Sequence, residues 1–142
     1  MTGRLQIPLV IDKTAVNLVW LKRDLRLSDH QPLVSSLKSG LTLLLYVFEP
    51  ILVDDPHYDV RHWRFVYQSL KDINQQLARV NSKIYVFYGS VIHAFEAINE
   101  IFSISNLYSY QEVGIASTYK RDIAVKQWCD SHQVQWFESQ TA

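Results

Sequence analysis

Apolar residues gather into short runs separated by stretches of helical periodicity. The first run, Val16-Asn17-Leu18-Val19-Trp20-Leu21, is short, rich in β-branched residues and almost wholly apolar. That suits a strand buried on both faces. Residues 41–48 and 84–88 read the same way, 106–110 as a weaker and more polar strand, and 134–137 as a fifth. Between the first two, Pro32 stands where a first helical turn tolerates it, and Leu33, Val34 and Leu37 make a short apolar face ending at Gly40. A loop with Pro50 and Pro56 follows the second strand, up to Asp59, a good N-cap. Trp63, Val66, Leu70, Ile73, Leu77 and Val80 then fall at alternating three- and four-residue steps, one face of a helix of about five to six turns that Asn81-Ser82 stops. Ser90 caps a helix with the face Val91, Ala94, Phe95, Ile98, Ile101 and Phe102. Ser117 or Thr118 caps a last helix, reaching His132, with Ile123, Ala124, Trp128 and Cys129 inward.

Strands alternating with helices predict an α/β fold, a five-stranded parallel sheet with helices on both faces. Right-handed crossovers and one reversal of winding give a doubly wound, Rossmann-like sheet of order 3-2-1-4-5. In such sheets ligands sit beyond the carboxyl ends of the strands, near the switch point beside strand one. The loops to watch begin at Lys22, Glu49, Gly89 and Gln111.

Length and composition narrow the class. The 142 residues fit one domain, read as 15–142 after a flexible segment 1–14. Lys plus Arg and Asp plus Glu each number 14, and a zero net charge argues against a domain whose main task is gripping nucleic acid. The single cysteine, Cys129, excludes a disulfide framework and reads as a small buried hydrophobe. A reducing, cytoplasmic setting is expected, with no membrane partner, since no apolar run approaches a membrane span and the N-terminus lacks a signal-peptide pattern. The five histidines lack metal-ligand spacing and read as surface or capping residues. The four tryptophans read as core. Arg61, Arg64 and Lys71 form a basic stripe, read as a solvated face, with contact to a partner domain or a phosphate as the alternative. No Gly-rich phosphate loop, G-x-S-x-G or H-E-x-x-H occurs.

The stretch after the first strand carries the chemistry. Lys22, Arg23, Asp24, Arg26 and Asp29 put three cations and two carboxylates within eight positions. They read as a salt-bridged surface loop, or as the rim of a site for an anionic or planar ligand. Trp20-Leu21-Lys22-Arg23-Asp24-Leu25-Arg26-Leu27-Ser28-Asp29-His30-Gln31-Pro32-Leu33 resembles the opening motif of the DNA photolyase/cryptochrome family, W-F-R-x-D-L-R-x-x-D-N-x-A-L. Tyr46-Val47-Phe48-Glu49-Pro50 resembles that family's second strand and its F-x-P ending. Arg61-His62-Trp63-Arg64-Phe65 resembles the start of its long helix, and Ile84-Tyr85-Val86-Phe87-Tyr88-Gly89 its third strand. Tyr119-Lys120-Arg121-Asp122-Ile123-Ala124-Val125 matches its Y-x-R-D-x-x-V signature. Together these pieces cover about 16–137.

The resemblance implies the family's N-terminal α/β domain, which holds a light-harvesting antenna chromophore where one is present. The family's helical domain, which binds FAD and the DNA lesion, would follow in the same chain; its absence here suggests a fragment, inactive alone and with an exposed apolar patch where that domain packs. The implied parent is a deoxyribodipyrimidine photolyase, a carbon–carbon lyase that repairs pyrimidine dimers in DNA under blue light. A cryptochrome photoreceptor, a nucleotide-binding α/β module and a docking domain with an empty cleft are the alternatives. The implied antenna residues are Lys22, Arg23, Asp24, Arg26, Phe48, Glu49, Tyr110, Gln111 and Glu112, and no catalytic residue falls in this chain. Ser117 and Thr118 stand where folate-binding members place Asn-Glu, so a flavin or deazaflavin is expected over a folate. Lys22 replaces the motif's usual Arg, and Tyr108-Ser109-Tyr110-Gln111-Glu112-Val113-Gly114 supplies aromatics and a carboxylate after strand four.

Overall fold

A computed structural model describes residues 13–56, 58–80, 82–112 and 116–140. The proposed N-terminal segment, except Lys13 and Thr14, lies outside them, as do His57, Asn81, Val113 and Gly114. The strands are β1 (Ala15–Leu21), β2 (Thr42–Phe48), β3 (Ile84–Tyr88), β4 (Ser103–Tyr110) and β5 (Gln135–Ser139). The helices are α1 (Gln31–Ser39), α2 (Pro50–Val53), α3 (Val60–Ala78), α4 (Val91–Ile101) and α5 (Ala116–Ser131). The strands form one sheet of order β3-β2-β1-β4-β5, and every pairing is parallel. The predicted fold class and strand order are what the structure has.

The pleat of β1 explains the two layers. Leu18 and Trp20 point to one face, where they pack with Phe95 and Ile98 of α4 and Val125 and Trp128 of α5. Val19 and Leu21 point to the other, against Val66, Leu70 and Ile73 of α3 and Leu33 of α1. Both faces of the strand are buried, as a central parallel strand requires. Asp59 and Ser90 cap α3 and α4, each accepting from the backbone N–H three residues on.

Several helix faces differ from expectation. On α1 the buried residues are Pro32 and Ser36, while Val34 and Leu37 are exposed. Ser36 Oγ meets Thr42 Oγ1 at 2.6 Å, and its carbonyl accepts from the buried Asn17 side chain at 3.2 Å. Polar seams of this kind carry no hydrophobic period. Helix α5 starts at Ala116, so Thr118 lies inside it and is not its cap. Its inward face is Thr118, Arg121, Val125, Trp128 and Cys129, and Ile123 is exposed. Val80, two residues past α3, and Ile101, the last residue of α4, are also exposed. The expected loop after β2 holds the short helix α2, which begins at Pro50.

Candidate functional site

The site grows from the turn after β1. Asp24 Oδ1 accepts from the Lys22 backbone N–H at 3.0 Å, closing a tight local ring. Its other oxygen, Oδ2, pairs with His30 Nε2. His30 Nδ1 accepts from the Leu33 N–H at 3.1 Å and caps α1. An accepting Nδ1 fixes the ring proton on Nε2, donated to Asp24. Both side chains are buried, so of the two sequence readings His30 is the cap and not a surface residue. Burial pushes the Asp24 carboxyl up, but the His30 and Lys22 hydrogen bonds outweigh it and hold the group below its usual value. Asp29 takes a left-handed conformation, φ 50°, that turns the chain back into α1. Arg26 Nε reaches its carbonyl at 3.1 Å.

Lys22 continues the line of β1. Its Nζ lies 4.2 Å from the Trp20 ring centre and 5.9 Å from Trp136, and donates to the Tyr110 carbonyl at 2.9 Å. Burial lowers its pKa, and the nearby Arg121 guanidinium lowers it further. Tyr110, at the end of β4, accepts from the Gln31 N–H at 3.0 Å and packs edge-on to His30. Helix α5 contributes Arg121, whose side chain is 5% exposed. Its Nη1 donates to Glu49 Oε2 at 2.9 Å and its Nη2 to Glu112 Oε1 at 2.6 Å. The guanidinium also holds Asp122 Oδ1 and lies 4.7 Å from the Trp20 ring centre. Burial raises the Glu49 carboxyl despite the opposing pull of Arg121. Burial would lower Arg121, yet Glu49 and Glu112 hold its proton more firmly than usual.

The nine sequence-proposed residues do not share one cavity. Lys22, Arg23, Asp24, Arg26, Tyr110, Gln111 and Glu112 line one of about 230 Å³ at the switch point between β1 and β4. Glu49 lines an adjoining cavity of about 170 Å³ with Tyr46, Tyr58 and Trp63. Lys22, Arg23 and Glu112 border both. Phe48 faces neither; it sits in a separate aromatic cup with Trp63, Tyr67 and Tyr88. Trp20, Tyr58, Arg121 and Trp136 are members that the sequence reading did not assign. Arg121 had a signal in Y-x-R-D, whereas Trp20 and Trp136 read only as core. Among the described residues no cluster has metal-ligand geometry, and no helix is long and apolar enough to cross a membrane.

The family model described as DNA photolyase matches residues 17–142. Cryptochrome DASH of Synechocystis sp. is 32% identical over 102 residues, 68% of this chain and 21% of that protein. Cryptochrome-1 of Gallus gallus is 28% identical over 116 residues, 78% of this chain and 18% of the relative. The chain thus spans about a fifth of the length of the curated relatives it matches. A Synechocystis cryptochrome structure superposes with a TM-score of 0.83 at 23% identity, covering 92% of this chain and 28% of that one. An archaeal photolyase from Sulfolobus tokodaii, described with two FAD molecules, gives 0.75 at 18% identity, covering 88% and 29%.

Proposed function

The chain belongs to the DNA photolyase family, and on that premise we propose that it is the α/β part of a larger light-driven flavoprotein whose switch-point crevice receives a planar light-harvesting chromophore. The parent in this reading is a deoxyribodipyrimidine photolyase, with a helical FAD-binding domain in the same chain and pyrimidine-dimer DNA as substrate. When bound, the flavin of that domain supplies the photochemistry; this chain supplies the antenna seat.

The observation that carries the reading is the crevice itself. Known ligand cavities run from about 300 to 1,000 Å³, and each of the two cavities is smaller. Arg23 lines both, its side chain is 63% exposed, and its contact to Glu112 is a loose 3.6 Å. In this reading a shift of the exposed Arg23 side chain joins the two cavities, whose walls share it with Lys22 and Glu112. Tyr110 and Tyr58 offer ring faces, Arg26 and Arg23 offer donors, and Glu112 offers an acceptor. Thr118 is buried in the inward face of α5, and neither it nor Ser117 carries the carboxylate that would pair with a folate amine. That favours a flavin or deazaflavin, in keeping with the second FAD of the Sulfolobus tokodaii protein, whose description implies a novel light-harvesting cofactor.

The test uses the full gene product purified from its own host. A near-ultraviolet or blue band beyond that of FAD, surviving gel filtration, is expected, together with repair of a thymine-dimer oligonucleotide under blue light. Absence of the band removes the antenna seat. A retained chromophore without repair would favour the cryptochrome alternative, to which the names of the relatives also point.

A further inference from the structure

A second cavity lies apart from the crevice, at the carboxyl ends of β2 and β3. Phe48 and Tyr88 are partners in the parallel register of these strands, so their rings stand side by side, 4.9 Å apart and within 9° of parallel. Tyr67, on α3, stacks on Phe48 at 5.4 Å and 30°, and Trp63 tilts toward it at 5.9 Å and 53°. The hydroxyls of Tyr67 and Tyr88 bond to each other, which ties α3 to the end of β3. Phe48 is buried, whereas Tyr67 and Tyr88 are 57% and 65% exposed. The four rings border a cup of about 480 Å³, a size within the range of small-ligand sites. Apolar residues scattered singly over a surface need no explanation, but rings grouped and fixed at one mouth do.

Charge selects the ligand. Among the described residues Asp54, which ends α2, is the one charged residue lining the cup. Its backbone N–H donates to the Pro50 carbonyl at 3.0 Å. Among the described residues its carboxylate holds no ion pair and no hydrogen bond. Arg64 and Lys71 border the neighbouring groove along α3 and do not line the cup. Ring faces and a carboxylate both favour positive charge. A primary ammonium brings three N–H donors, for which the cup has few acceptors. The Phe48 carbonyl already accepts from the Gly89 N–H at 3.0 Å, and the two tyrosine hydroxyls engage each other. Such a cation gives up hydrogen bonds to water without full replacement. A trimethylammonium group has no N–H to satisfy, and its methyls lie directly on ring faces.

We infer that the cup binds a small quaternary ammonium compound of the choline type, its methyls against Phe48, Trp63, Tyr67 and Tyr88 and its charge facing Asp54. Binding is weak, because the cup is open on the side of the two exposed tyrosines and Asp54 is itself exposed.

The test is a backbone-amide NMR titration of the isotope-labelled chain with choline chloride, with sodium chloride as the control. A saturable shift of the Gly89 amide is expected, with the Lys22 amide, at the crevice, unmoved. Dimethylbutanol, the neutral isostere with carbon in place of nitrogen, should bind at least roughly 5-fold more weakly. Phosphocholine, which carries the headgroup of a lipid, should also bind more weakly than choline, because its phosphate meets Asp54. Asp54→Asn should weaken choline binding about 2- to 5-fold, the worth of one exposed charge pair, and leave dimethylbutanol unchanged. Tyr88→Leu keeps an apolar side chain but removes the ring, and should weaken choline binding about 2- to 30-fold. Tyr88→Phe should keep most of the affinity. Circular dichroism checks that each variant is folded, and Asp54→Asn changes only an exposed side chain. An unsaturable shift, shifts centred on Lys22 in place of Gly89, equal affinity for dimethylbutanol, tighter binding of phosphocholine than of choline, or indifference to Asp54→Asn and Tyr88→Leu would each overturn the inference.

Discussion

Replacing Arg121 by Met tests how the crevice is held. The substitution keeps much of the side-chain volume and removes the guanidinium that binds Glu49 at 2.9 Å, Glu112 at 2.6 Å and Asp122 at 2.9 Å. Glu49 is buried and Glu112 nearly so, and the substitution leaves both carboxylates without their charged partner. Removing one member of a buried ion pair costs about 3–5 kcal/mol. For a domain of this size that lowers the melting temperature by about 10–15 °C. The sign of the pH dependence follows from Glu49. Burial already raises its folded pKa above the unfolded value, and loss of Arg121 raises it further. Such a group contributes stability at low pH that is lost as pH rises through its folded value. The penalty of Arg121→Met should therefore shrink as pH falls from about 8 to about 5. Adding Glu49→Gln should recover part of it at the higher pH. Thermal melts followed by circular dichroism, at both pH values and for the parent and the two variants, provide the measurement. A penalty below about 1 kcal/mol, the value of an exposed pair, or one independent of pH, would refute the reasoning.

Three further outcomes are expected. Asp24→Asn leaves one carbonyl oxygen for two donors, the Lys22 N–H and His30 Nε2–H, and should cost about 1–3 kcal/mol near neutral pH. Asp24 has a folded pKa below its unfolded one, so its stabilisation is present above the unfolded value and lost on acidification; urea melts of Asp24→Asn should converge with the parent at low pH, and parallel curves would count against the assignment. Burial pushes the Cys129 thiol up to about 11, so alkylation near pH 8 should run roughly 100-fold slower in the native state than in concentrated urea, and equal rates would contradict its burial. Gly89 has φ 135° with open space around its missing Cβ, so Gly89→Ala should cost about 1–3 kcal/mol through the backbone alone, and an unchanged urea midpoint would show that the turn relaxes freely.

The strands were legible because both-face burial writes the same signature at each: a short, dense apolar run. Their order followed from chirality rules that need no side-chain detail. What escaped the pattern was polar burial. Ser36 occupies the inward side of α1 because Thr42 and Asn17 satisfy it, while Leu37, which hydropathy would place inside, stands in solvent. Arg121 leads the inward face of α5 for the same reason. Its partners lie 72 and 9 positions away on the loops after β2 and β4, and no local window pairs them. Hydrophobic periodicity alone therefore points that helix toward Ile123, which is exposed.

The charged turn after β1 was found, but its members part ways in space. Asp24 turns inward to His30, Arg23 and Arg26 stay near solvent, and Lys22 enters beneath the indoles. The exchange of the motif's Arg for Lys22 then has a physical account. Arg121 already lies 4.7 Å from the Trp20 ring centre and takes Glu49 and Glu112, the carboxylates a second planar fork would compete for. What remains is a place beside the Trp20 and Trp136 rings, within reach of the Tyr110 carbonyl. A compact ammonium fills it with one hydrogen bond and two ring faces. Burial lowers the Lys22 pKa and the Arg121 guanidinium beside the same indole lowers it further, while the nearby carboxylates of Asp122, Glu112 and Glu138 offset part of the effect. The crevice floor is thus a set of buried, mutually paired charges, and Arg23, 63% exposed, stands at its lip with a 3.6 Å contact to Glu112.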